Sequence, residues 1–111
     1  MTPPWTVTPD KVQAAIKRIV ETSRPRKLIL FGSFVRKQTT RNSDLDILVI
    51  TGNDVDDPRR ESVRIRRALR GISMSMDILV ITERKFAELS NRPGLIYREA
   101  VRHGEVVYQA A

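Results

Sequence analysis

Cysteine is absent from this 111-residue chain, and histidine occurs once, at His103. Without thiols there is neither a disulfide framework nor a thiolate metal site. His103 lies near an expected helix end, where it complements the helix dipole rather than binding metal. Aromatic residues are scarce, with one tryptophan, two tyrosines and three phenylalanines, and they do not alternate with basic residues. Base stacking on single strands is therefore poorly supported, and nucleic acid stands as a weakly supported acceptor. No apolar run approaches membrane-spanning length, and Met1-Thr2-Pro3-Pro4-Trp5 lacks the charged-then-apolar pattern of a signal peptide. These absences predict a cytoplasmic protein with no membrane partner. Acidic residues are outnumbered, 13 against 20 lysines and arginines, for a formal net charge of +7 and a sequence pI of about 10.6. The length predicts a single domain over residues 1–111, enough for one core of sheet and helices but not for a further substrate-binding domain. Any substrate must then be gripped largely from outside the chain.

What is present is concentrated between Lys27 and Ile81. Lys27-Leu28-Ile29-Leu30-Phe31 reads as a buried strand ending at Gly32, where a missing Cβ lets the backbone turn sharply and approach a ligand. If Ser33 opens a short helix through Phe34, Val35 and Arg36, its hydroxyl and the free amides of the first turn form a seat for phosphate. Lys37 to Ser43 reads as a polar loop, and Asp44 to Ile50 as the next strand. Asp44, Asp46 and Leu48 lie on one face of it, with Leu45, Ile47 and Val49 on the other. Two carboxylates on one face of an apolar strand repel unless a cation or solvent intervenes. Magnesium, held by a few carboxylates and completed by substrate phosphates and water, is the expected cation. A third strand, Ser75 to Ile81, carries Asp77. Brought beside the first two, it completes the ligand set for two-metal phosphoryl or nucleotidyl transfer.

Around these strands the chain alternates with helices. One is expected from Thr8-Pro9-Asp10 through Val12, Ala15, Ile16, Ile19 and Val20 to a stop at Pro25. Another runs from Arg59 to Arg70, with Val63, Ile65, Ala68 and Leu69 available for packing and Gly71 ending it. Thr82 caps a third, through Phe86 and Leu89. Pro93 starts a fourth, with Ile96, Tyr97, Ala100 and Val101 inward and Gly104 closing it. Glu105 to Tyr108 makes a last short strand. The fold class expected is α/β or α+β, a small mixed sheet flanked by helices. Arg59, Arg60, Arg64, Arg66, Arg67 and Arg70 concentrate positive charge on one helix, which is either a solvated face or a surface for an acidic or phosphate-bearing partner.

Leu30-Phe31-Gly32-Ser33-Phe34-Val35-Arg36, Asn42-Ser43-Asp44-Leu45-Asp46-Ile47-Leu48-Val49 and Met76-Asp77-Ile78-Leu79-Val80 resemble the motifs of the minimal nucleotidyltransferases in the DNA polymerase beta superfamily. The tail, from Arg92-Pro93-Gly94 through Ile96, Arg98, Glu99 and Gly104 to Tyr108, is similar as well, so the likeness runs from about Lys27 onward. It departs at Lys37, where the family usually has glycine. The resemblance implies the nucleotidyltransferase fold, with Gly32, Ser33, Arg36 and Ser43 holding an ATP donor. It implies that Asp44, Asp46 and Asp77 bind two magnesium ions, Asp77 also helping to activate the attacking hydroxyl. It further implies an antitoxin that transfers AMP to a tyrosine of a HEPN-domain ribonuclease toxin. The alternative is a catalytically weak or inactive antitoxin that neutralises its partner by stoichiometric binding.

Overall fold

Two apolar runs with almost no polar interruption become the centre of the sheet. Strand β1 (Lys27–Phe31) is buried from Leu28 to Phe31, and β2 (Leu45–Thr51) is buried at every position except Asp46. Runs of this kind suit strands covered on both faces rather than one. In the computed structural model, which describes residues 4–32 and 44–111, β3 (Met76–Thr82) pairs parallel with β2, while β4 (Glu105–Gln109) and β2 flank β1 antiparallel. The strand order is β3-β2-β1-β4, a four-stranded mixed sheet.

Helices cover both faces. Helix α1 (Pro9–Ser23) is capped by the Thr8 hydroxyl, which accepts the Lys11 amide, and ends at Arg24 in the left-handed conformation just before Pro25. Its Val12, Ala15 and Ile19 join Ile65 and Leu69, from α2 (Pro58–Ala68) and its end, against Leu28, Leu30, Leu45, Ile47, Val49 and Ile78. On the opposite face, Phe86 and Leu89 of α3 (Glu83–Leu89) and Tyr97 and Ala100 of α4 (Ile96–His103) pack over Ile29, Phe31, Leu48, Ile50 and Ile81. Truncating one of these fully buried aliphatic side chains to alanine costs about 2–5 kcal/mol.

Two helices depart from expectation. α4 begins at Ile96 rather than Pro93, because Gly94 takes φ +80° and Leu95 is extended, so neither can be helical. The helix meets the sheet at Ala100 and Tyr97, leaving Ile96 41% and Val101 53% exposed instead of inward. In α2 the core-facing row is Glu61, Ile65 and Leu69, and Val63, expected to pack, is 48% exposed. Glu61 can lie inward because the hydroxyl of Ser23 and the guanidinium of Arg64 satisfy its carboxylate.

Candidate functional site at one end of the sheet

Strand directions bring the sequence motifs to one end of the sheet. β1 finishes there at Phe31 and Gly32, while β2 and β3 start there. The antiparallel register sets Phe31 opposite Asp46, and the parallel register sets Asp46 beside Asp77. Neighbouring strands lie about 4.7–4.9 Å apart, so register partners carry their side chains on a common face. That face is the one shared with Leu48 and Ile50, beneath α3 and α4.

Gly32 is where the geometry is tightest. Its φ is +84°, a conformation glycine adopts at no steric cost, and a Cβ built on it would overlap Oδ2 of Asp46. The carboxylate thus occupies the space that any other residue would fill with its side chain. Gly104, at the opposite flank of β1, is small for a different reason. A Cβ there would collide with the Ala100 carbonyl oxygen and the Ile29 side chain, so its absence lets the end of α4 close onto β1.

Asp44 immediately precedes β2 and is half-buried. Its Oδ1 accepts a hydrogen bond from the Ser75 hydroxyl, and the ladder continues beside it through the Leu45 amide donating to the Ser75 carbonyl at 2.9 Å. Asp46 is half-buried as well, and Asp77 is exposed on the edge strand. Asp44 and Asp46 thus enter one face from β2, with Asp77 level with Asp46 on β3. Ser33, Arg36 and Ser43, expected to hold nucleotide, and Lys37 lie outside the described residues.

Carboxylate oxygens are the donors a hard divalent cation prefers, so the residues suit magnesium in kind. Among the described residues, however, no three acidic or histidine side chains stand close enough together to form a metal site. His103 ends α4 as expected, in its last turn with Arg102. The sequence places Ser75 only at the start of the third strand, and the structure adds its bond to Asp44. Its signal was its spacing, two residues before Asp77 and hence on the same face of an expected strand.

An open cavity of about 710 Å³ lies against α4, lined by Leu95, Ile96, Arg98, Glu99, Arg102 and His103 with Gly94. No helix among the described residues is long and apolar enough to cross a membrane.

Comparison with known proteins agrees with this architecture. The chain superposes with a TM-score of 0.62 on a candidate nucleotidyltransferase from Sulfolobus solfataricus, at 15% identity over 90% of this chain and 78% of that one. A toxin-antitoxin structure with AMP-PNP gives a TM-score of 0.57 at 20% identity, covering 88% of this chain and 73% of the other. A toxin-antitoxin MntA-HpeT mutant with two Asp-to-Glu substitutions gives 0.56 at 18% identity, with the same coverage. At such identities the likeness is one of fold. No curated protein matches the sequence. The family model described as polymerase beta, nucleotidyltransferase matches residues 14–111, nearly the whole chain, and the chain belongs to that family.

Proposed function

We propose that this chain is a magnesium-dependent nucleotidyltransferase that moves AMP from ATP onto a hydroxyl of a partner protein, as the antitoxin of a pair whose toxin is a HEPN-type ribonuclease. The observation that carries the reading is the Asp46 carboxylate lying over Gly32. It joins a turn suited to phosphate to an acid suited to a cation, and the register adds Asp77 beside it. The toxin-antitoxin structures of like fold, one of them with AMP-PNP, support the partner class and the nucleotide.

In this mechanism the Gly32-Ser33 turn seats the triphosphate, with Arg36 and Ser43 completing the grip. Asp44, Asp46 and Asp77 would hold the metal, which when bound supplies charge neutralisation and alignment of the phosphates. The acceptor oxygen forms a bond to the α-phosphorus as the bond to the departing pyrophosphate breaks, and the hydroxyl proton passes to Asp77. Asp77 suits this task because it is exposed on the edge strand, where an acceptor can reach it.

One observation favours a second reading, a binding antitoxin without turnover: among the described residues, no three acidic side chains stand close enough together to hold a metal. Incubation with α-labelled ATP, magnesium and the product of the adjacent gene separates the two. Label on the partner is expected from the enzyme. Undiminished neutralisation by a combined Gly32, Ser33, Asp44 and Asp46 mutant, with no label transferred by the wild type, would establish the binder.

A further inference from the structure

We propose that Ser75 is a positioning residue, holding the Asp44 carboxylate in the orientation that a cation at the sheet end requires. The inference rests on the reading of Asp44 as a cation ligand. Parallel pairing of Leu45 with Met76 and of Asp46 with Asp77, carried one step back, sets Asp44 beside Ser75 on the face that bears Asp46 and Asp77. The Ser75 hydroxyl donates to Asp44 Oδ1, leaving Oδ2 for a cation. An aspartate on the rim of a sheet otherwise rotates about two side-chain bonds, and metal binding must freeze both.

Ser75 is itself held from two sides. Its carbonyl accepts the Leu45 amide at 2.9 Å, and its amide donates to the Trp5 carbonyl at 3.0 Å. The N-terminal segment that supplies this carbonyl is in turn gripped by Lys11, whose Nζ donates to the Pro4 carbonyl at 2.7 Å and the Thr6 carbonyl at 3.1 Å. A chain of hydrogen bonds therefore runs from α1 through the N-terminal segment and Ser75 to Asp44. Groups that orient a ligand in this way are worth about 10–100-fold in metal affinity.

The test compares Ser75→Ala, Ser75→Thr and Ser75→Val with Asp44→Asn in the full chain, using Mn²⁺ alone as probe and following free ion by electron paramagnetic resonance. Threonine and valine match in shape and differ in the hydroxyl, so the pair remains informative if alanine fails to fold. Ser75→Ala and Ser75→Val are expected to weaken Mn²⁺ binding about 10–100-fold, with Ser75→Thr near wild type. The magnesium concentration for half-maximal transfer should rise in parallel while turnover at saturating magnesium is kept. A merely structural role would lower the melting temperature and leave the affinity of the folded protein unchanged. Wild-type Mn²⁺ affinity in folded Ser75→Val, with affinity lost in Asp44→Asn, overturns the role of Ser75 and spares the site. Wild-type affinity in Asp44→Asn overturns both.

Discussion

Gly32 and Asp46 occupy one space between them: the glycine gives up a side chain, and the carboxylate uses the room. Gly32→Ala must either push that carboxylate aside or move the end of β1. It also places an L-residue at φ +84°, which costs about 1–2 kcal/mol. The expected outcome is a protein that still folds, melts several degrees lower and has lost most of its ATP affinity, as calorimetry and thermal melting would record. Equal ATP affinity in Gly32→Ala would remove the turn from the site. Asp46→Asn asks a different question, since it keeps the shape and removes one negative charge from a face that also carries Asp44 and Asp77. Transfer should fall on the order of 100-fold or more, a loss of several kcal/mol of charge stabilisation. Folding should survive, because the residue is only half-buried. Unchanged turnover at saturating magnesium would count against a metal role.

The elements show which arguments work locally. β1 ends at Gly32 as its apolar run and glycine imply, and Asp44 and Asp46 share a face because a strand repeats every two residues. The pairing of Asp46 with Asp77 follows instead from strand order and parallel register, which involve residues 31 positions apart and leave no local trace. The spacing of Ser75 from Asp77 gives its face, but its bond to Asp44 depends on the same non-local pairing. Helix α2 is the sharper case. Its pattern offers Val63 to the core, yet the helix turns Glu61 inward, where two bonds from Arg64 at 2.8 Å and one from the Ser23 hydroxyl at 2.5 Å meet the carboxylate. Only the tertiary placement of α1 makes that orientation affordable. The Arg64 hydrogen bonds hold the Glu61 carboxyl below its ordinary range, with help from Ser23 and against the opposing effect of burial. A carboxyl so lowered stabilises the fold fully above its unfolded value, about 4.3. That contribution is lost as pH falls from there through the lowered folded value. Glu61→Gln should therefore be less stable at neutral pH, by about 1–3 kcal/mol, and should show a flatter decline of stability with acid. Urea unfolding between neutral and acid pH measures both, and parallel curves would show that the charge of Glu61 contributes nothing.

For the whole molecule, a net charge of +7 makes electrostatics a matter of encounter as much as of binding. The positive charge of α2 is not all available for a partner. Arg64 is committed to Glu61, and Arg66 reaches the Ile78 carbonyl of the edge strand at 3.4 Å. Arg59, Arg60 and Arg67 remain exposed around Val63 on one side of the helix. Asp57, whose carboxylate accepts the Arg59 and Arg60 amides, caps the helix start. If this face steers an acidic partner surface toward the sheet end, changing Arg59, Arg60 and Arg67 together to glutamine should slow association about tenfold at low salt. The salt dependence should flatten with it, while dissociation and magnesium-dependent ATP binding stay as they were. Arg64 is left in place because removing it would strand the buried Glu61 charge and confuse steering with stability. Stopped-flow association with the purified partner across a salt series separates the outcomes. An unchanged rate would mean that α2 is a solvated face and that the partner approaches from another side, with the arginines of the α4 cavity the next surface to neutralise.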